Sequence, residues 1–379
     1  MTSTVSLTSI RNRVAARARL TPGEALHLLT EAPLLPLGQL AHRERVRRFP
    51  EPVVTYVVDT NPNYTNVCET HCLFCAFYRR PGEQGAYLHT VEEMVEKFKE
   101  HARWGATTVL LQGGNHPELD LDYHLALVRE CRRQVPEVTP HFFSPPEVRT
   151  MAKVSGKTVP QVLQALWDAG QRTLPGGGAE ILSDRVKQRI SARKGTSADW
   201  LEVMREAHRI GFRTTATMMY GHLETDAEIV EHLEKLRELQ DQTGGFTAFI
   251  PWCFKPSRTK LSPKIQSLPG SIKYLRILAV ARLFLDNFDH IQASWFSEGK
   301  KTGQVALHFG ADDFGGTILE ENVLASADHF NRTSIEEIRD IIRESGFIPA
   351  QRTTEYRILR RFEEAPAGSG EPPRPGRAC

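Results

Sequence analysis

The sequence predicts an α/β protein built as a parallel (β/α)8 barrel of the TIM type. Short apolar runs alternate with amphipathic helical segments about eight times, and the composition does not shift along the way. The chain's unusual Gly-, Pro- and Cys-containing strings also fall just after the predicted strands, where the loops of such a barrel carry functional residues. An open doubly wound sheet is the alternative, because the eighth strand is weak.

The elements can be justified in chain order. Thr21 and Glu24 form a capping box around Pro22 and open a helix, with a second helix near residues 38–48. The first strand, residues 53–58, is a continuous apolar run that a parallel sheet would bury on both faces. Further strands are predicted at residues 107–111, 138–143, 172–174, 213–218, 246–250, 290–294 and 310–313. The intervening helices are predicted at residues 90–103, 121–134, 146–154, 159–169, 197–210, 226–242, 271–288 and 334–344.

These elements divide the chain into three parts. Residues 1–49 form an N-terminal helical extension whose first twenty residues are expected to be loosely ordered, and residues 50–358 form the barrel with its closing segments. Residues 359–379 are rich in Pro, Gly and Ala, which predicts a disordered tail.

The composition excludes several classes of protein. Lys and Arg number 48 against 46 Asp and Glu, so the basic excess that marks a general nucleic-acid binder is missing. No apolar stretch reaches the ~18–20 residues that span a bilayer. The basic start of the chain is somewhat like a transit peptide, but a solvated terminus is the simpler interpretation. Six cysteines in 379 residues are too sparse for a disulfide framework and fit a reducing cytoplasm.

The most informative feature is a cluster of three cysteines, Cys68, Cys72 and Cys75, spaced C-x3-C-x2-C. Three thiolates on one short loop can hold three corners of a cubic [4Fe–4S] cluster and leave the fourth iron open to a small molecule. Ferredoxin-type clusters use four cysteines. Three therefore indicate a cluster whose open iron does chemistry.

A structural zinc site is the alternative for this loop. Such sites usually add a second pair of Cys or His ligands. Cys131, Cys253 and Cys379 are isolated and form no pair, whereas His71 lies inside the loop and is available as a fourth ligand.

Longer strings carry a resemblance to a known family. They are NYTNVCETHCLFCAFYR (63–79), LLQGG (110–114), HFFSPPE (141–147), LPGGGAEIL (174–182), TTATMMYGH (214–222), GGFTAFIPW (244–252), IQASW (291–295) and FGADDFGGT (309–317). The cysteine motif after a strand resembles the radical S-adenosylmethionine (radical SAM) enzymes. The whole set resembles the cyclic dehypoxanthinylfutalosine synthase family, which serves the futalosine route to menaquinone. The match runs from about residue 20 to about residue 358.

The resemblance implies a [4Fe–4S] cluster and SAM as cofactors, with the three cysteines as iron ligands. It implies that SAM contacts Phe74, Gln112, Gly113, Gly114, Ser144 and Glu180. For these residues Phe74 would lie beside the adenine, the Gln-Gly-Gly turn would meet the SAM amino group, and Glu180 would accept hydrogen bonds from the ribose hydroxyls. Simpler roles stay open: loop packing for Phe74, a turn for Gln112 to Gly114, a surface position for Glu180 and a helix cap for Ser144.

Four residues are candidates for substrate binding or proton transfer. Tyr220 and His222 follow the fifth predicted strand, His116 follows the second, and Asp312 lies at the weak eighth. A lone histidine is more often structural, and Asp312 with Asp313 sits in a Gly-rich turn that either residue can cap. Glu147 is a weaker candidate. Arg189, Arg193 and Lys194 offer cations to a carboxylate, or form a solvated basic helix end.

The implied reaction is an intramolecular cyclisation of dehypoxanthinylfutalosine. A 5′-deoxyadenosyl radical takes a hydrogen from C4′ of the ribose, the sugar radical adds to the aromatic ring and closes a spiro product, and a proton and an electron are lost. The base is unassigned, and a flavodoxin or ferredoxin is implied as electron donor. The rivals are aminofutalosine synthase, the deazaflavin synthase subunits and, from another class, a non-catalytic protein clipped by zinc or a resting cluster.

Overall fold

The computed structural model describes residues 6–363. Its α-helices are α1 (Leu7–Ala15), α2 (Pro22–Thr30), α3 (Leu34–Arg48), α4 (Val91–Arg103), α5 (Leu121–Gln134), α6 (Pro145–Ser155), α7 (Val159–Asp168), α8 (Asp184–Ser191), α9 (Ser197–Ile210), α10 (Asp226–Thr243), α11 (Ser271–Phe284), α12 (Trp295–Glu298), α13 (Lys300–Ala306) and α14 (Ile335–Glu344). Its strands are β1 (Val53–Val57), β2 (Asp59–Thr60), β3 (Thr108–Leu111), β4 (Thr139–Phe142), β5 (Thr173–Leu174), β6 (Arg213–Tyr220), β7 (Phe246–Cys253), β8 (His290–Ile291), β9 (Asp313–Gly316), β10 (Ile348–Arg352) and β11 (Ile358–Arg361). In this part of the chain, no helix is both long and apolar enough to cross a membrane.

The strands form a parallel barrel, as predicted. A seven-stranded parallel sheet runs in the order β2-β3-β4-β5-β6-β7-β8, and β1 leads directly into β2. The strand β9 closes the ring, because Thr55 N donates to Asp312 O (3.1 Å) on one side and Ala293 N donates to Asp313 O (2.8 Å) on the other. The weak eighth strand of the sequence is therefore present, shifted to Asp313–Gly316.

Two buried aspartates fix this closing strand. Asp313 accepts two hydrogen bonds from Arg352 (2.5 and 3.0 Å) and one from the Thr55 hydroxyl (2.6 Å). Asp312 is paired with Arg282 and lies 2.6 Å from Nδ1 of His290. Burial alone would raise the pKa of Asp312, but His290 and Arg282 lower it to about 2. Asp312 and Asp313, which are adjacent at the start of the closing strand, thus bind the two sides of the barrel that this strand joins.

The N-terminal extension is more ordered than expected. Helix α1 begins at a capping box formed by Ser6, and its Ile10 is fully buried. The predicted box of Thr21 and Glu24 opens α2. Helices α2 and α3 pack against α10 and α11, so the extension covers one side of the barrel. Residues 1–5 lie outside the described part.

The C-terminal segment adds two strands that the sequence analysis did not foresee. Strand β10 pairs in parallel with β1, and β11 pairs antiparallel with β10. The predicted start of a disordered tail at residue 359 is therefore too early, because residues 358–361 form β11. Residues 364–379 of that predicted tail lie outside the described part.

The ion pair between Asp313 and Arg352 gives a stability prediction. Replacing Asp313 with Asn leaves the buried Arg352 guanidinium without its counter-charge, which costs about 3–5 kcal/mol. We expect a clear fall in the urea midpoint of unfolding. The matched control is Asp328→Asn, which removes an exposed partner of Arg258 and should leave the midpoint nearly unchanged. Equal midpoints for the two variants would contradict this account of barrel closure.

Candidate active site

One cavity of about 340 Å³ fills the interior of the barrel and opens at the carboxyl ends of the strands. Its upper end is lined by the cysteine loop and by the glycine-rich strings that follow β3 and β5. Its lower end is lined by side chains of the strands themselves and by the segment that follows β10. We call these two regions the upper half and the lower half.

The three predicted iron ligands all line the upper half. Cys68, Cys72 and Cys75 lie on a loop whose ends are joined where Cys68 N donates to Arg79 O (3.0 Å). His71, the possible fourth zinc ligand, is not among the lining residues. Its ring stacks on Tyr78 (5.3 Å between centroids) and its Nδ1 lies 3.2 Å from Arg193. The cavity therefore receives three thiols from this loop and no imidazole.

The thiols fit an iron–sulfur cluster in their chemistry and packing. Burial raises the pKa of Cys72 to about 12, so this thiol is neutral until a bound metal ion deprotonates it. Gly114 permits the loop to sit where it does, since a Cβ there would lie 2.1 Å from the Val67 carbonyl oxygen. In residues 6–363 no three His, Cys, Asp or Glu side chains lie close enough together to share one metal ion. A cubic cluster makes a different demand, because its thiolates bind separate irons.

The predicted SAM-contacting strings converge beside the cysteines. Gln112, Gly113 and Gly114 follow β3, and the Gly176–Gly178 run follows β5. A Cβ on Gly177 would lie 2.2 Å from Nε2 of Gln112, so the two strings touch at this point. Glycine lets these backbones approach each other and leaves main-chain groups open to a ligand.

Glu147 ties three of these loops together. Its buried carboxylate accepts hydrogen bonds from the Tyr64 hydroxyl (2.8 Å), the Gly113 amide (2.9 Å) and both the amide (2.7 Å) and hydroxyl (2.6 Å) of Ser144. Burial raises the pKa of Glu147 against these bonds. Ser144 lines the cavity, but its hydroxyl donates to Glu147, so the helix-start role left open by the sequence is present.

Glu180 and Phe74 meet at Lys194. The Lys194 ammonium lies 2.6 Å from Glu180 Oε1 and 5.2 Å from the centre of the Phe74 ring, and all three residues line the cavity. Burial alone would lower the pKa of Lys194, but Glu180 and Cys72 outweigh it and raise that pKa. Of the three basic candidates, Lys194 reaches the cavity, Arg193 lies against His71 on the outer side of the loop, and Arg189 is exposed.

The four predicted proton-transfer residues do not line the cavity. Tyr220 lies at the end of β6, whose inward side chains are the alternate residues Thr215 and Thr217, so it faces the outer layer. His222 contacts the Met219 carbonyl oxygen (2.9 Å) and Glu224 (3.0 Å). His116 accepts a hydrogen bond from Glu118 N (3.2 Å). Asp312 is held by Arg282 and His290 in the closing strand.

A catalytic role for these four residues stays a prediction that the geometry does not support. His222, His116 and Asp312 are engaged with the backbone or with neighbouring side chains. The Tyr220 hydroxyl is buried without a partner but points away from the cavity, and none of the four residues lines it.

The lower half brings in polar residues that the sequence analysis missed. They are Asp59, Asn61, Asn63, Thr108, His141, Thr215, Thr217, Gln292, Arg352, Thr354 and Tyr356. Polar residues at alternate positions of otherwise apolar strands, such as Thr215 and Thr217, were the available signal. Arg352 and Tyr356 gave no such signal in the sequence, because they belong to a segment far along the chain that enters the barrel from below.

Several polar atoms of this region are buried without a hydrogen-bond partner. Nδ1 of His141, the Tyr356 hydroxyl and Oδ1 of Asn63 are of this kind, and all three residues line the cavity. Burial, reinforced by Arg352, lowers the pKa of His141 to about 3, which keeps its ring neutral. Buried unpaired polar groups are rare, and a polar ligand accounts for a set of them around one cavity.

The closed parallel barrel and the three-cysteine loop at its open end define the class of radical SAM enzymes. Residues 62–236 match the family description "Radical SAM superfamily", and residues 243–365 match "CofH/MqnC C-terminal region". The solved structure of methylornithine synthase covers 90% of this chain and 97% of its own with a TM-score of 0.72 at 19% identity, which supports the fold.

Curated relatives identify the family more closely. A protein of Halalkalibacterium halodurans named cyclic dehypoxanthine futalosine synthase is 39% identical over 96% of this chain and 98% of its own. A Streptomyces coelicolor protein of the same name is 41% identical over 95% and 90%. The chain belongs to the radical SAM family of these cyclic dehypoxanthine futalosine synthases.

Neighbouring members of the family carry other names. The aminodeoxyfutalosine synthase of Streptomyces coelicolor is 36% identical over 97% of this chain and 98% of its own. A 5-amino-6-(D-ribitylamino)uracil–L-tyrosine 4-hydroxyphenyl transferase of Methanopyrus kandleri is 42% identical over 83% and 87%.

The packing of Gly114 gives a prediction for cluster loading. In a Gly114→Ala variant the new Cβ meets the Val67 carbonyl oxygen at 2.1 Å and the Cys68 Cβ at 3.0 Å, so the cysteine loop must shift. We expect lower iron content and weaker visible absorption after anaerobic reconstitution. Gly23→Ala is the control, because a Cβ there meets nothing within 4 Å. Full iron loading of the Gly114 variant would refute the tight fit.

Proposed function

We propose that this protein cyclises dehypoxanthine futalosine by radical SAM chemistry. The observation that carries the proposal is a single cavity with three thiols at its open end and unpaired polar groups at its buried end. The names of the relatives specify the substrate, and one cavity brings the thiols and the polar groups together.

In this proposal Cys68, Cys72 and Cys75 hold the cluster, which with SAM supplies a 5′-deoxyadenosyl radical. The protein's own contribution is position. The turn from Gln112 to Gly114 receives the SAM amino group, Phe74 lies beside the adenine, and Glu180 accepts from the ribose hydroxyls. Lys194 holds the Glu180 carboxylate in place through their 2.6 Å ion pair.

The lower half would receive the substrate. The ribose of the substrate carries hydroxyl groups that can form hydrogen bonds with the unpartnered atoms of Asn63, His141 and Tyr356. Those contacts would aim the C4′ hydrogen of the sugar toward the upper half, and the barrel wall would keep water away from the radicals. The aromatic ring of the substrate would lie close enough for the sugar radical to bond to it. The ring would then lose a proton and an electron.

One experiment separates the cyclase from its relatives. Protein reconstituted anaerobically is reduced and given SAM with dehypoxanthine futalosine. We expect cyclic product and free 5′-deoxyadenosine in equal amounts, and neither from a Cys72→Ala variant. An adenosyl group that ends up inside the product indicates aminodeoxyfutalosine synthase chemistry, and hydroxyphenyl transfer from tyrosine indicates the transferase. Colourless protein with one tight zinc, inert toward SAM, would overturn the whole proposal.

We also propose that an acidic one-electron carrier of the flavodoxin or ferredoxin class docks on the outer side of the cysteine loop. Arg80, Arg193 and Lys260 surround His71 there, and burial together with their positive charges lowers the pKa of that histidine. Arg193 contacts His71, and Lys260 donates to the Tyr78 hydroxyl (2.6 Å). We call these three cations the basic rim. A carrier bound to it would sit directly behind the cluster ligands.

Charge reversal tests the basic rim. Arg193→Glu combined with Lys260→Glu is expected to slow turnover driven by the acidic carrier by about tenfold at low salt, because steering by charge is lost. Turnover driven by dithionite should not change. Arg103→Glu is the control, since Arg103 is exposed in the last turn of α4, just before β3 begins, and so lies at the amino ends of the strands, away from the cysteine loop. An equal loss with both reductants would place the effect in the cluster and not in docking.

A further inference from the structure

The cavity contains four carboxylates that could accept a proton, and three of them are already engaged. Glu147 accepts four hydrogen bonds, and Glu180 is paired with Lys194. Glu321 accepts from the backbone amides of Val323, Leu324 and Ala325 at 2.8–3.0 Å. The fourth, Asp59, behaves differently.

Asp59 presents one free oxygen to the lower half. Its Oδ1 accepts a hydrogen bond from Ile318 N (2.8 Å), which fixes the carboxylate. Within residues 6–363 Oδ2 has no hydrogen-bond partner, and Asp59 lines the cavity. The position depends on Gly316, because a Cβ at that residue would lie 2.1 Å from Oδ1. Asp59 is thus anchored by one oxygen with the other directed at a bound molecule.

The surroundings of Asp59 suit a base near neutral pH. Burial raises the pKa of Asp59 to about 6. The charged groups that face it are Arg352, which lowers this pKa, and Asp313 on the closing strand, which raises it. A general base works best when its pKa lies near the working pH.

We propose that Asp59 is the catalytic base that takes the proton from the aromatic ring after the carbon–carbon bond has formed. This assignment rests on the proposed cyclase function and names the group that it leaves open. When the sugar radical has bonded to the ring, the ring carbon at the new bond still carries its hydrogen. That C–H bond breaks, its proton passes to Oδ2 of Asp59, and its electron pair returns to the ring. The one electron in excess leaves to an iron–sulfur one-electron acceptor, the oxidised cluster.

The test compares two products in the reconstituted holoenzyme. In Asp59→Asn, 5′-deoxyadenosine still forms, because hydrogen abstraction precedes the proton transfer. The ratio of cyclic product to 5′-deoxyadenosine falls by about 100-fold, the usual contribution of a general base, and the ring-centred radical becomes detectable by electron paramagnetic resonance. Asp328→Asn is the control: it makes the same substitution at an exposed carboxylate outside the cavity and is expected to keep the wild-type ratio.

A pH profile tests the same assignment without a variant. In the wild-type enzyme the ratio of cyclic product to 5′-deoxyadenosine should rise with pH through about 6, because Asp59 accepts a proton only when it is ionised. A flat ratio across that range overturns the assignment even if the Asn variant does not fold.

The remaining outcomes are distinguishable. A wild-type enzyme that forms no cyclic product refutes the cyclase itself. A wild-type enzyme that cyclises, with an Asn variant of unchanged ratio, refutes only the role of Asp59. An Asn variant with an intact cluster that forms no 5′-deoxyadenosine places Asp59 in substrate binding and also overturns the role as base.

Discussion

The structure depends on how β9 closes the barrel. This strand reads Asp-Phe-Gly-Gly and offers little side-chain packing, so charge takes over the task that apolar contact performs elsewhere in the sheet. Asp312 binds the wall that contains β8, through His290 and Arg282, and Asp313 binds the wall that contains β1, through Thr55. Buried ion pairs of this kind contribute less to stability than apolar packing of equal volume. Here such a pair also holds a charged side chain at the cavity, because the partner of Asp313 is Arg352, which lines it.

The same pairing explains why the barrel has a polar floor. A (β/α)8 barrel normally fills its centre with layers of branched apolar side chains. In this chain the inward positions carry Thr108, His141, Thr215 and Thr217, while Arg352 at the end of β10 and Tyr356 just after it enter the barrel from below. The Tyr356 ring is stacked between the guanidinium of Arg352 (3.8 Å) and the ring of His290 (3.8 Å). The residues that close the barrel, those that form its polar floor and those proposed to bind the substrate are therefore in contact with one another. Asp59 lies beside this set.

The sequence predicted the parts of this fold that depend on local pattern. Apolar runs located the strands, a capping box located the start of α2, and the cysteine spacing located the upper half of the site. The parts that failed depend on long-range contacts. Asp312 looked like a loop residue because its partner Arg282 lies thirty positions away on α11. Tyr220 was predicted to bind substrate or move a proton because it lies in the distinctive string at residues 214–222. The alternation of side chains along β6 directs it outward. The role of Arg352 was invisible, since nothing near it in the chain indicates that its segment enters the barrel.

Overall identity is a poor guide to which reaction this chain performs, and the two halves of the cavity explain why. The chain is 41% identical to one cyclic dehypoxanthine futalosine synthase and 42% identical, over a shorter stretch, to a hydroxyphenyl transferase. All of these reactions would begin with the cleavage of SAM, so in the proposed function the thiols, the glycine turns and Glu147 of the upper half would serve any of them. The substrates differ in what the lower half of the cavity must bind. In one case it is a sugar joined to the aromatic ring that the sugar radical attacks, and in another it is two separate molecules. In the proposed function, discrimination falls to a few groups of the cavity: Asn63, His141 and Tyr356 would position the substrate, and Asp59 would take the proton. So few residues scarcely change an identity averaged over the chain.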